Sequence, residues 1–196
     1  MKMELGFGQG TQPLEIPDRN VMGVLEPNQV PADLTGTAEV ARALAEPIGA
    51  PPLRQVVRPG ETVAIVASDI PRPCPTAKIL PPVLAELAAG GIRREDITLV
   101  FALGSHRPHT QEEMRRLAGP DYDTLRCVDS VGDFVRLGET RRGTPVEIMR
   151  LVAQADRRIC LGNIEYHYFA GYSGGAKAIM PGVSTLSLIH ISEPTR

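Results

Sequence analysis

Beyond residue 60, three short, almost uninterrupted apolar runs recur along this chain: TVAIVAS (62–68), ITLVFAL (97–103) and RRICLGN (157–163). Runs of this length, rich in β-branched residues and without in-and-out alternation, mark strands covered on both faces, as in a parallel sheet. Between the first two, TAKILPPVLAELAAGGI (76–92) has helical spacing and ends in glycines, with Pro81 and Pro82 expected to delay or kink its start. After the second, HTQEEMRRLAG opens on Thr110 with Glu113 three residues on, a pairing that caps a helix start from both directions. Strand and helix therefore alternate, which predicts an α/β fold: a mostly parallel, Rossmann-like sheet with flanking helices. FVRLGETRRGTPVEI (134–148) breaks the alternation, and its two strand-like runs around an Arg-Arg-Gly turn predict an inserted β-hairpin.

The first sixty residues are less regular and rich in Gly and Pro. Apolar runs such as NVMGVLEP (20–27) predict a strand or two there, followed by an amphipathic helix over TAEVARALAEPIG with Thr37 near its N-cap.

Composition narrows the function. With 196 residues and 42% apolar content the chain can bury one good-sized core. A net charge of −2 with interspersed signs, and only 4% aromatics, gives neither a basic stripe nor a stacking surface, so no nucleic-acid partner is expected. No run reaches the roughly 18 apolar residues of a membrane span, and MKMELGFGQGTQ lacks the apolar centre of a signal peptide. No membrane partner and a cytoplasmic location are the corresponding expectations. Cys74, Cys127 and Cys160 are odd in number and widely spaced, as buried or partly buried free thiols rather than disulfide or zinc partners would be.

Ligands of open parallel sheets gather at the carboxyl ends of the strands. There the chain places Asp69 and Arg72 after the first run, His106 and Arg107 after the second, and His167 with Lys177 after the third. Convergence of titratable groups on one edge is the signal of an active site. Each has a plainer reading: Asp69 and Arg72 could pair and cap the next helix, and His167, between Tyr166 and Tyr168, could be a satisfied, partly buried side chain. His109 reads as an exposed loop or pre-helix residue.

The stretch YHYFAGYSGGAKAIMPG (166–182) sets a lysine at the end of a glycine run. A Walker loop counted from Gly171 would need Gly where Ala176 stands and Ser or Thr where Ala178 stands, so the stretch does not read as an ATPase loop. Two other readings remain open. Lys177 could carry pyridoxal phosphate, with Ser173 and the amides of Gly174 and Gly175 holding the phosphate, or the loop could belong to a non-catalytic α/β module that binds a phosphorylated metabolite.

SDIPRPCP, GSHRPHTQEE and HYFAGYSGGAKAIMPGVS, in this order and spacing, resemble the N-terminal catalytic domain of the nickel-dependent lactate racemase family over roughly residues 3–185. The resemblance implies racemisation of lactate or a similar short 2-hydroxy acid, hence an isomerase acting on a small-molecule 2-hydroxy acid. It also implies a nickel-pincer pyridinium-3,5-bisthiocarboxylate mononucleotide, tethered through Lys177 and supplied by cofactor-biosynthesis enzymes. In such an enzyme the α-hydrogen leaves as hydride to a cationic ring while a base takes the hydroxyl proton. Two bases serve the two enantiomers, and imidazole, with an ordinary pKa of about 6.5, suits reversible proton transfer. By the family match these are His106 and His167, with Arg72 anchoring a carboxylate or phosphate and Asp69, Ile70 and Pro71 contacting the cofactor.

The sequence also departs from that pattern. Pro71 stands where the family usually has Thr, which removes a hydroxyl and a backbone donor. LSLIHISEPTR (186–196) resembles a reading frame of a transposon-library adaptor, so residues 1–185 are expected to be a truncated N-terminal domain and 186–196 a non-native tail. The family's nickel-binding histidine lies a short way beyond the lysine. His190 is at the wrong spacing for it, so no metal ligand is assigned. The family's second domain, which supplies further substrate and cofactor contacts across a cleft, is expected to be cut off after residue 185.

Overall fold

A computed structural model of the protein describes residues 1–29, 32–167 and 171–192, with the side chains of 190–192 outside that description. Tyr168 and the last four residues of the suspected tail therefore lie outside the described residues, as does the imidazole of His190. The described chain forms two compact units, Met1–Asp33 and Leu34–Arg196.

The first unit is an antiparallel hairpin of β1 (Lys2–Phe7) and β2 (Gly10–Glu15), in register from Lys2↔Glu15 to Phe7↔Gly10. Met3, Leu5 and Phe7 alternate with Lys2, Glu4 and Gly6, a period-two signal of the kind a strand requires. The run 20–27, expected to be a strand, is unpaired chain after a 3-10 turn at Asp18–Asn20, and its Met22 and Leu25 are fully exposed. An apolar run becomes a strand only where a second strand meets its N–H and C=O groups.

The second unit is built on a four-stranded parallel sheet in the order β5 (Arg126–Asp129), β4 (Ile97–Ala102), β3 (Val63–Ser68), β8 (Arg157–Leu161). Its helices and strands begin with α1 (Gly36–Ala45), α2 (Leu53–Val56), β3 (Val63–Ser68), α3 (Thr76–Ala89) and β4 (Ile97–Ala102). They continue with α4 (Gln111–Ala118), β5 (Arg126–Asp129), β6 (Phe134–Glu139), β7 (Pro145–Met149), α5 (Arg150–Gln154) and β8 (Arg157–Leu161). The all-apolar expectation for β3 and β4 holds, because both are covered on two sides. Ile65, Ala67, Leu99 and Phe101 pack on one face with Leu80, Val83, Leu84 and Leu87 of α3. Ala64, Val66 and Val100 pack on the other with Ile148 and Met149 of β7, Val152 of α5 and Val183. The expected hairpin is thus β6–β7, paired from Phe134↔Met149 to Glu139↔Pro145, and it covers one face of the sheet.

Three local expectations change. The helix α1 has Thr35 at its N-cap position, two residues before Thr37 and without a side-chain cap bond, but it stops at Ala45, ahead of the Glu46-Pro47 step that disfavours helical backbone. Pro81 and Pro82 do not delay α3, which starts at Thr76 and runs through both. The stripe Leu80, Val83, Leu84, Leu87 has helical spacing and is buried, and tertiary burial outweighs the lost backbone bonds. β5 was not expected: its four residues RCVD show no apolar run, and it exists because the edge of β4 is there to pair with, from Thr98↔Arg126 to Phe101↔Asp129. The Thr110–Glu113 capping box forms as expected.

After β8 the chain makes a small hairpin, β9 (Tyr166–His167) with β10 (Gly171–Tyr172), then a 3-10 turn at Gly175–Ala178. It ends in α6 (Leu186–Ser192), which buries Leu188 and Ile189.

Candidate functional site

The loops that follow β3, β4 and β8 meet at the carboxyl edge of the sheet around a cleft of about 120 Å³. β3 contributes Ser68 and, beyond it, Arg72; the loop after β4 contributes Gly104, Ser105 and His106. From beyond β8 come Asn163, His167, Ser173, Gly174 and Lys177. His106 and His167 thus arrive from the two strands that flank β3. The Lys177 Nζ is shielded from solvent.

Four of the residues singled out in the sequence, His106, His167, Lys177 and Arg72, line this one cleft. Asp69 does not line it. Its side chain is 4% exposed, and its Oδ2 lies 2.5 Å from Nδ1 of His106. The side chains of Asp69 and Arg72 are therefore not each other's partners: Arg72 faces Glu165 at 3.6 Å, both about two-fifths exposed. Ile70 packs against the core with its N–H on His109, and Pro71 is exposed; neither lines the cleft.

The loop after β4 is fixed by charged side chains. Arg107 turns away from the cleft and forks onto Glu113 at 2.6 and 2.8 Å. That guanidinium and the Thr110 backbone N–H pull the Glu113 carboxyl down to about 2. His109, read as an exposed loop residue, is instead enclosed, with a side chain 1% exposed and its Nδ1 2.6 Å from Asp129. No sequence signal separates it from a solvated histidine, because its partner belongs to the unforeseen β5.

Backbone contacts join this loop to the lysine turn. Gly104 N–H donates to Gly182 C=O at 3.0 Å, and Gly182 N–H donates to Lys177 C=O at 3.2 Å. Ser130 completes the joint: its Oγ accepts from Leu103 N–H at 2.9 Å and donates to Gly182 C=O at 3.2 Å. Gly182 is required by contact, since a Cβ there would lie 2.2 Å from the Ala178 carbonyl oxygen. At Gly174 both conformation and space demand glycine, with φ at +90° and a Cβ that would meet Ile164 at 2.9 Å.

The hydroxyl of Ser173, a phosphate-binding candidate in the pyridoxal and metabolite readings, is occupied within its own loop. It accepts from Glu165 N–H and donates to Asn163 C=O, both at 2.9 Å. The thiols behave as expected of free cysteines: Cys74 is buried, and burial pushes Cys127 up to about 11 and raises Cys160.

A family model described as "Lactate racemase N-terminal domain" matches residues 7–192. The chain belongs to the lactate racemase N-terminal domain family. Within it, the chain is 30% identical to lactate racemase of Thermoanaerobacterium thermosaccharolyticum over 97% of its own length and 47% of the relative's. It is 29% identical to lactate racemase of Lactiplantibacillus plantarum over 95% of its length and 46% of the relative's. The lactate racemase apoprotein structure from T. thermosaccharolyticum superposes with a TM-score of 0.80 at 29% identity, covering 96% of this chain and 45% of that one. A Thermotoga maritima crystal structure, at 17% identity and a TM-score of 0.62, covers 83% of this chain and 42% of that one, and shares the fold. The chain thus spans about half the length of the lactate racemases it matches. Among the described residues, no helix is long and apolar enough to cross a membrane.

Proposed function

We propose that this chain is the N-terminal, catalytic-residue-bearing part of a racemase of lactate or a similar short 2-hydroxy acid, and that the parent enzyme works in the cytoplasm. The observation that carries the reading is one cleft, in a domain of the lactate racemase family, lined together by His106, His167, Arg72 and Lys177.

The cleft suits a bulky, lysine-tethered nickel-pincer mononucleotide. Gly104, Gly162, Gly174, Gly175 and Gly182 give it walls of bare backbone, and the Lys177 amine stands at the same cleft. Among the described residues, no group of three or more His, Cys, Asp or Glu side chains is arranged to hold a metal. The group that the resemblance implies brings metal-binding arms of its own and asks the chain for no such cluster. When bound, that group would supply a hydride acceptor. Lys177 would hold it, and cofactor-biosynthesis enzymes would be the partners that provide it; the contacts that the family match implies for Asp69, Ile70 and Pro71 would need these residues, which stand outside the cleft, to move towards it.

The remaining work falls to the chain's own side chains. Arg72 offers a guanidinium to the carboxylate of the acid or to a phosphate, and its present partner Glu165 is long-range and exposed enough for an anion to displace. Asp69 accepts the Nδ1 proton of His106, which leaves Nε2 as the nitrogen that exchanges a proton with the substrate hydroxyl. His167 does the same for the opposite enantiomer, arriving from the other side of β3.

The test uses the full-length parent, co-expressed with cofactor-making enzymes. Intact mass is expected to show an adduct that Lys177→Ala abolishes, and an unmodified lysine would reject the tether. Racemisation is expected to fall by about 10²–10⁴-fold in His106→Ala and in His167→Ala, the usual weight of a positioned acid–base group. Unchanged rates in both would reject them as bases.

A further inference from the structure

The loop after β4 carries a second histidine to which the reaction assigns no work. His109 is enclosed against Phe101, ring edge to ring face with centroids 5.5 Å apart, and both its ring nitrogens are engaged. The partners dictate where its proton sits. The Ile70 N–H can only donate, so Nε2 accepts, at 3.1 Å. The Asp129 carboxylate accepts, so Nδ1 carries the hydrogen, at 2.6 Å, while the other carboxylate oxygen takes the His109 backbone N–H at 2.8 Å. Only one neutral tautomer satisfies every partner.

Ile70 N–H belongs to the same peptide unit as the Asp69 C=O, and that carbonyl accepts from Arg72 N–H at 3.1 Å. Both ends of the peptide are thus pinned, which fixes the direction in which Asp69 leaves the end of β3. The Asp69 carboxylate in turn meets His106 Nδ1.

We propose that His109 is a positioning residue for His106. Together with Asp129 it locks the Asp69–Ile70 peptide, so that the Asp69 carboxylate holds His106 by Nδ1 and leaves Nε2 facing the cleft. The proposal rests on the reading of His106 as a base, and its test separates the two.

Asp129→Asn is the sharpest variant, because an amide has one acceptor oxygen where the carboxylate had two. The His109 backbone N–H keeps that oxygen, the amide NH₂ faces Nδ1, and the imidazole is driven to carry its proton on Nε2. There it confronts the Ile70 N–H, donor against donor, with no change in volume. Imidazole ¹⁵N spectra of the 196-residue chain at about pH 8, above the ordinary imidazole pKa, read both rings directly. In the wild type His106 and His109 are expected in the Nδ1–H form. In Asp129→Asn, His109 is expected to switch to Nε2–H and His106 to relax to the tautomer mixture of a free imidazole. A His109 that keeps its tautomer, or a His106 spectrum unchanged by the switch, overturns the proposal. Should Asp129→Asn fail to fold, His109→Phe, which keeps the edge contact with Phe101 and removes both bonds, gives the same reading at His106. In the cofactor-loaded parent, displacing the base is expected to lower kcat by up to about 10²-fold with KM unchanged. A relaxed His106 tautomer with undiminished kcat would leave the positioning intact and remove His106 from the role of base.

Discussion

The two sides of the cleft are held by different means. The loop after β4 is fixed by charged side chains: Asp69 on His106, Asp129 on His109, and Glu113 on Arg107. The loop after β8 has a hairpin with strands of two residues each, glycines, the Ser173 hydroxyl tied to Asn163 and Glu165 at the hairpin's base, and one exposed, longer ion pair from Glu165 to Arg72. The difference follows from what each must do. A base that exchanges a proton gains from a single orientation, whereas a loop that presents an amine to a large group needs backbone that can be approached closely. The two meet at Gly182, whose carbonyl accepts from Gly104 and Ser130 and whose N–H reaches Lys177.

The joint is the place to break this contrast. Gly182→Ala forces a methyl group onto the Ala178 carbonyl and is expected to cost about 1–3 kcal/mol or more, as overpacking does. Urea unfolding of the chain checks it, and a variant as stable as the wild type would refute the tight joint. Ser130→Ala keeps the space but strands the Leu103 N–H, for an expected loss of about 1–3 kcal/mol in the same measurement. Ser173→Ala should act on one side alone. A loss of about 1 kcal/mol or less is expected, together with faster amide exchange at Glu165 and Ser173 and unchanged exchange around His106.

The smallest effect is the acid response of the charged side. The Glu113 carboxyl sits at about 2 when folded, below its ordinary 4.5, so the folded state binds its proton less readily than the unfolded one. Its contribution is complete above about pH 4.5 and fades as pH falls towards about 2. Glu113→Gln is expected to flatten the stability profile in that window and to leave the slope near neutrality unchanged, and an identical acid limb would show the pair to be inert.

The regular part of the fold was legible wherever burial leaves a one-dimensional trace. β3 and β4 could be read because strands covered on both faces are apolar throughout, β8 because its Ile159–Leu161 end is apolar although it is a half-buried edge strand that begins with two arginines, and α4 because its capping box is local. β5 escaped, and the strand or two expected in the first sixty residues lie at β1–β2 rather than at 20–27. β5 is short and depends on a neighbouring edge, while the alternation in Met3, Leu5 and Phe7 was present but overshadowed by the longer run at 20–27. The prolines of α3 misled because their local cost is visible in sequence, whereas the compensating contacts of Leu80, Val83, Leu84 and Leu87 are not.

By itself the sequence determined that titratable groups would follow the strands of a parallel sheet, because strand direction fixes the edge at which each loop emerges. It also determined that the lysine would sit in a glycine turn, since the φ of +90° at Gly174 requires a residue without Cβ. Tertiary structure alone decided the pairings: Asp69 with His106 rather than Arg72, Arg72 with Glu165, and His109 with Asp129. Hydrogen bonds between side chains about 20 and 37 positions apart depend on the order and register of the strands that carry them, and no local pattern of residues encodes that order.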